Sequence, residues 1–348
     1  MAVHTRSSLH IIHDPRIPMS VQYTVFKGSK NGIVEATTSR PAPTGKEVLL
    51  RITHSGICGT DEHFKNADMG LGHEGVGVVE TVGSDVTLVH VGDVVGWGYT
   101  HKTCGTCEQC ILGQDQYCQQ RELYGKHNLH QGSFGSHAIW DESFLFRLPA
   151  NMAPENAAPL MCGGATVFEV IDTYNIRPTH RVGVVGIGGL GHLAILFLAK
   201  MGAEVVVFSS SDSKKEEAMQ LGASEFHATK DVTKFENVRL LDHLIFTTSF
   251  VPDWTPYLAI MKPKGTVFPL TVSSGNLSFP VTPFIDNGIT VQGSAVAARS
   301  VQARMLDFAA RNNIKPMIEK FPLTKQGVEE GMARLRDGKV RYRAVLVA

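Results

Sequence analysis

The chain has 348 residues, with 33 Lys and Arg against 33 Asp and Glu, 34 Gly and six Cys. Its length predicts two domains at roughly 150 residues each, and 43% hydrophobic with 19% charged residues excludes collagen, coiled coil, disulfide miniprotein or disordered chain. A net charge of zero with no basic cluster supplies no field to hold a polyanion, so nucleic acid is not expected as a partner and small neutral molecules are.

Residues 1 to 18 carry a weak apolar patch, Leu9, Ile11 and Ile12, broken by His and Pro and too short for a secretory core. They read as a flexible extension, or as a stretch upstream of an alternative start at Met19. Val48 to Ile52 alternates as a strand should and leads to Cys58 in HSGICGTDEH. His73, in LGHEGVGVVE, stands directly ahead of another strand. Next comes CGTCEQCILGQDQYC, which places Cys104, Cys107, Cys110 and Cys118 within fifteen residues. Cysteines only two residues apart make strained disulfides, and a secretory signal is not expected. Four thiolates on a tight loop instead surround one Zn²⁺ tetrahedrally and leave no position for water, which describes a structural site. Cys162 lies in PLMCGGATVFEV, where a helix begins. Alone, Cys58 and Cys162 would read as small buried hydrophobes. With His73 between them, a Cys, His, Cys set from three separate elements is expected to converge on a second zinc with one open position, as catalysis requires. Glu74 is expected as an occasional fourth ligand or a neighbour that tunes the charge.

Val182 to Ala199 is nearly free of charge for 18 residues, but five glycines and His192 inside it argue for a buried strand, turn and helix rather than a membrane span. The turn runs Gly186, Ile187, Gly188, Gly189, Leu190, Gly191, a GxGxxG between strand and helix. Its glycines permit a tight turn and close approach of a pyrophosphate, and the helix terminus attracts negative charge. The plainer alternative is a glycine-rich turn with no ligand. The next strand, Glu204 to Phe208, should end near an adenine ribose, where NAD enzymes normally present an acid. Here Ser209, Ser210 and Ser211 follow, then Lys214 and Lys215. Hydroxyls and ammonium groups bind a 2′-phosphate that a carboxylate would repel, so NADP(H) is the expected cofactor, with Asp212 as the one residue able to read a free ribose hydroxyl. Leu241 to Thr247, Gly265 to Leu270 and Gly288 to Ser294 read as later strands of the same parallel sheet, the last near its edge, alternating with helical stretches such as Lys214 to Leu221. The fold class is therefore α/β, a Rossmann doubly wound parallel sheet over residues 166–304, with both ends of the chain, 19–165 and 305–348, forming a second domain of short strands.

In their order, GICGTDEH, GHEGVGVVE, the four-cysteine lobe, MCGGATVFEV and GIGGLG resemble the zinc-dependent medium-chain alcohol dehydrogenases, and most the cinnamyl alcohol dehydrogenase-like branch, from about Val21 to the C-terminus. The resemblance implies a mainly β, GroES-like catalytic domain whose structural-zinc lobe spans 100–120. It implies two Zn²⁺ per chain, one held by Cys58, His73 and Cys162 beside Glu74, the other by Cys104, Cys107, Cys110 and Cys118. Thr60 and His63 take the places of the family's proton relay, and Asp61 that of the carboxylate that orients the zinc histidine. Arg343, in GKVRYRAVLV, resembles a position that reaches the cofactor pyrophosphate. Trp97 and Tyr99 in GWGYTH, with Leu123 and Val296 behind them, are the expected substrate pocket, whose aromatic walls favour flat aromatic or allylic aldehydes.

Two features depart from the family. Cys58 and His73 lie only fifteen positions apart, a shorter connection than is usual, with Met69, Gly70 and Leu71 where a proline is common. Gly59 stands where some members place a basic residue. The expected function is reversible hydride transfer between NADP(H) and a primary alcohol or aldehyde, in a cytoplasmic homodimer that pairs the edges of its cofactor domains. The alternatives are a non-catalytic dinucleotide-binding relative and an enal C=C reductase.

Overall fold

The structure, a computed structural model, describes residues 20–273 and 275–348, so the expectation for residues 1 to 18 lies outside it. Two sheets organise the chain. The first is six-stranded, and each adjacent pair is parallel, in the order Glu225–Ala228, Glu204–Ser209, Arg181–Val185, Leu241–Phe246, Met261–Pro269, Thr290–Val291. Numbered along the chain, that order is 3-2-1-4-5-6. The chain leaves the first strand in opposite directions on its two sides, and this reversal opens a crevice at the strands' carboxyl ends. Val182, Val184, Val205 and Val207 are wholly buried, as strands covered on both faces must be. Helices Gly163–Thr173, Gly189–Met201 and Arg299–Arg311 contribute to the core on one face, where Phe168, Phe197 and Met305 meet. The expected limits of this unit, residues 166 and 304, fall inside the first and last of those helices. The edge strand is shorter than the sequence suggests, two residues against the expected Gly288 to Ser294, because Gly288 turns left-handed just before it. The apolar stretch from Val182 is a buried strand, turn and helix, and among the described residues no helix is long and apolar enough to cross a membrane.

The second sheet has seven strands. Its path runs Ile318–Pro322, Arg343–Val347, Glu47–Ile57, Gly75–Val82, Val94–Trp97, Phe146–Arg147, with His137–Asp141 also pairing Glu47–Ile57. Register matters most here. Ala344 lies opposite Ile57, and Gly75 opposite Ser55. The residue after Ile57 is Cys58, the two before Gly75 are His73 and Glu74, and the one before Ala344 is Arg343. Antiparallel pairing thus brings three strand ends, distant in sequence, to one point.

Candidate active site

Cys58 directly follows strand Glu47–Ile57 and caps helix Gly59–Phe64, whose third residue, Asp61, turns back so that its Oδ2 accepts the Cys58 backbone N–H at 2.8 Å. The same wholly buried carboxylate accepts Gly72 N–H at 3.2 Å, the Tyr124 hydroxyl at 2.9 Å and His73 Nδ1–H at 2.9 Å, all on Oδ1. An ionised carboxylate only accepts, so the histidine's Nδ1 donates and its Nε2 faces away from Asp61. Nε2 is buried and has no partner among the described residues. Cys162, the N-cap of helix Gly163–Thr173, completes the set: ligand atoms of Cys58, His73, Glu74 and Cys162 all lie within 4.8 Å of one another.

The electrostatics favour a cation at that point. A hydrogen bond from Cys162 holds the Cys58 thiol well below its ordinary value, against the opposing effect of burial and with His73 and Arg343 adding to it. Cys162, the donor of that bond, is pushed up. Burial works against a charged His73, yet Asp61 and the Cys58 sulfur raise its imidazole well above the usual range. Burial raises Glu74 to about 7, with the Arg343 guanidinium working the other way. Arg343 pairs both carboxylate oxygens of Glu74, and both residues are buried. A Cβ at Gly56 would stand 1.9 Å from Glu74 Oε2, so only glycine leaves room for that carboxylate. Two sulfurs and an orphaned imidazole nitrogen suit Zn²⁺, and Glu74, engaged by Arg343, stands beside this set as a charge neighbour.

The four-cysteine lobe fits the same metal. Sulfur separations are 3.6 Å for Cys107–Cys110, 3.6 Å for Cys104–Cys118 and 3.9 Å for Cys104–Cys110. A tetrahedron with bonds of about 2.3 Å has edges of about 3.8 Å. Cys107 N–H donates to Cys104 Sγ at 3.3 Å and Gln120 N–H to Cys118 Sγ at 3.4 Å, the outer contacts that steady a thiolate ligand. Backbone donors at Thr106 and Cys107 lower Cys104 to about 6, while burial raises Cys110 to about 11. All six cysteines are free of disulfides.

At the crevice of the parallel sheet lies a cleft of about 900 Å³, lined by Gly186, Ile187, Gly188 and Gly189, by Ser209, Ser210, Ser211 and Lys214, and by Lys230, Thr247 and Tyr257 among others. Gly186 is left-handed at φ +93°, and a Cβ at Gly191 would sit 1.9 Å from the Gly186 oxygen, so turn and helix approach too closely for any side chain. Leu190 packs into the core and Gly191 against the Gly186 carbonyl, so neither borders the cleft. Lys214 Nζ donates to Ile187 O at 3.0 Å, which fixes its ammonium over the turn. Lys215, by contrast, is exposed on helix Lys215–Gln220 and does not line the cleft. Lys230 does line it. The sequence reading missed this residue, although its position two residues past Ala228, which pairs with Ser209 on the neighbouring strand, was a usable signal.

Thr60 Oγ1 lies 3.8 Å from Cys58 Sγ, and His63 is exposed near the far end of the same helix. The expected substrate residues separate. Tyr99 stands edge-on to His73 with ring centroids 5.7 Å apart, so it does border the metal set. Leu123 is half-buried in a short strand opposite Thr100, and Val296 is half-buried against the cofactor-side core. Trp97 needs correcting: it is wholly buried among Val48, Leu50 and Trp140, because the side-chain alternation of Val94–Trp97 turns it inward with Val95. Arg343 also differs from the expected pyrophosphate contact in that its guanidinium is spent on Glu74, although it stays beside the turn, about 3.1 Å from where a Gly189 Cβ would be.

Residues 44–150 match the alcohol dehydrogenase GroES-like domain and residues 189–311 the zinc-binding dehydrogenase domain. An aldehyde reductase of Synechocystis is 34% identical over 330 residues, covering 91% of this chain and 96% of that protein. Among solved structures, a cinnamyl alcohol dehydrogenase from Sorghum bicolor superposes with a TM-score of 0.87 at 32% identity, covering 94% of this chain and 97% of that one. A cinnamyl alcohol dehydrogenase of Helicobacter pylori complexed with NADP(H) gives a TM-score of 0.85 at 29% identity, covering 94% of this chain and 99% of that one. Fold and site together define a two-domain, zinc-type dehydrogenase. The chain belongs to the zinc-dependent medium-chain alcohol dehydrogenase family.

Proposed function

We propose that this member of the alcohol dehydrogenase and aldehyde reductase class reduces aldehydes, reversibly, with NADPH as the preferred hydride donor. The observation that carries the reading is the meeting of Cys58, His73 and Cys162, from three separate elements, with the unpartnered His73 Nε2 among them. We assign two zinc ions per chain, the second at the four-cysteine lobe. The division into a catalytic unit, 19–165 with 305–348, and a cofactor unit, 166–304, belongs to the same proposal.

When bound at the first site, zinc supplies Lewis acidity that lowers the pKa of an alcohol oxygen. The chain's own residues do the rest. Asp61 fixes the His73 ring through Nδ1. The Thr60 hydroxyl exchanges a proton with the reacting oxygen at Oγ1, and His63, exposed near the far end of the same helix, passes that proton to solvent. Glu74 and Arg343 hold a neutralised ion pair behind the sulfurs. Serine hydroxyls at the end of Glu204–Ser209, with the ammonium groups of Lys214 and Lys230, suit a 2′-phosphate; the carboxylate on the cleft wall is Asp253, and Asp212 does not line it. Tyr99 beside the metal set favours flat aromatic or allylic aldehydes, in line with the cinnamyl alcohol dehydrogenases among the similar proteins. A homodimer and a cytoplasmic location complete the proposal.

The test is an NADPH-dependent screen over aromatic, allylic and aliphatic aldehydes with product analysis. Cinnamaldehyde giving cinnamyl alcohol, faster with NADPH than NADH, supports the reading. Reduction of the C=C bond, with the aldehyde intact and activity surviving chelation, would replace it with an enal reductase.

A further inference from the structure

Tyr124 is absent from every role assigned so far, yet it touches the machinery at three points. Its hydroxyl donates to Asp61 Oδ1 at 2.9 Å and accepts the backbone N–H of Gly72, the residue before His73, at 3.0 Å. Its ring stacks on the His73 imidazole, with centroids 4.6 Å apart and planes 29° from parallel. Tyr124 is itself held: it is 1% exposed, its N–H donates to Tyr99 O at 2.9 Å, and Phe64 meets its ring edge-on at 5.5 Å.

The carboxylate of Asp61 restrains His73 at one atom only, Nδ1. An imidazole held at one atom can still tilt about that contact and swing its Nε2 lone pair off the two sulfurs. The connection from helix Gly59–Phe64 to His73 is just eight residues, and Gly72 within it is left-handed at φ +93°. Through the hydroxyl and the ring, Tyr124 joins that connection, the carboxylate and the face of the histidine into one unit.

We propose that Tyr124 is a positioning residue for the metal-binding histidine, acting on the ring face through stacking and on Asp61 and Gly72 through its hydroxyl, so that Cys58, His73 and Cys162 stay in the geometry that retains zinc. This rests on the zinc reading of that site. Outer-shell partners of metal ligands typically contribute 10–100-fold in metal affinity.

The experiment follows zinc release from the purified holoenzyme to an excess of a chromogenic chelator, for the wild type, Tyr124→Phe and Tyr124→Leu, alongside melting temperature and the electronic spectrum of the cobalt-substituted enzyme. The four-cysteine lobe serves as an internal standard. Release from the Cys58, His73, Cys162 site should quicken several-fold in Tyr124→Phe, which keeps the stack, and 10–100-fold in Tyr124→Leu, which loses both contacts. The lobe's release should not change, and the cobalt bands should shift in Tyr124→Leu. Wild-type release from the first site in both variants would overturn the proposal, as would equal acceleration of both sites with a matching fall in melting temperature. A wild-type enzyme that carries no zinc at the first site would instead sink the reading underneath it.

Discussion

Replacing Ser210 with Asp should turn the coenzyme preference from NADPH to NADH. Ser210 lies on the 900 Å³ cleft directly past the strand Glu204–Ser209, flanked by Ser209 and Ser211, with Lys214 and Lys230 also on the wall. A carboxylate there would face the adenosine ribose. At a separation of roughly 5 Å, with an effective dielectric of about 40 at a half-open site, a dianionic phosphate is repelled by about 3 kcal/mol. A free 2′-hydroxyl gains a charge-assisted hydrogen bond, about 1.5–3 kcal/mol. Since 1.4 kcal/mol is a factor of ten, the NADPH-to-NADH ratio of kcat/KM should fall by at least two orders of magnitude. Ser210→Ala removes only a hydroxyl and should lower the ratio by tenfold or less. The assay is initial-rate kinetics with one aldehyde and both coenzymes. An unchanged ratio in Ser210→Asp would show that the ribose lies elsewhere and refute the phosphate assignment.

Arg343→Met leaves Glu74 buried without its partner and should cost about 3–5 kcal/mol in urea denaturation, whereas Arg343→Met combined with Glu74→Gln should cost less than the two single changes together. Gly191→Ala puts a methyl 1.9 Å from the Gly186 oxygen, so coenzyme binding, followed by fluorescence titration, should weaken at least tenfold or the chain should fail to fold. Burial lowers His101 and His192 to about 3, so between that value and the unfolded value near 6.5 the unfolded chain binds protons that the folded chain does not. Stability is therefore present above pH 6.5 and lost as pH falls through that window, by about 2 kcal/mol per histidine at pH 5; His101→Gln should flatten the slope of stability against pH. Cys162→Ser should abolish aldehyde reduction and lose one zinc per chain while the second stays bound.

What the sequence revealed and what it hid follow from how far each contact reaches. That both cysteine-containing clusters converge was legible because a tetrahedral ion demands particular residue types at short, recognisable places, and the glycine turn because close backbone approach tolerates nothing else. Trp97 was misread as a wall of the substrate pocket because residue type does not say which side of a strand faces the core. Gly75 and Gly77 across from it, whose Cβ atoms would meet the indole at 2.2 and 3.3 Å, mark the inward side only once the strands are paired. The Glu74–Arg343 pair spans 269 positions and exists because of the register of Ala344 against Ile57, which no local pattern encodes. Lys215 and Lys230 changed places for a similar reason. A lysine one step into the helix points to water, whereas one just past the next parallel strand faces the crevice.

Whether one zinc is gripped by residues from three strand and helix ends can be read most directly by anomalous diffraction at the zinc absorption edge from crystals of the purified enzyme. The expected result is a peak about 2.3 Å from both Cys58 Sγ and Cys162 Sγ and about 2.1 Å from His73 Nε2, alongside a separate peak inside the four-cysteine lobe. A peak in the lobe alone, with none between Cys58, His73 and Cys162 in fully active enzyme, would contradict it.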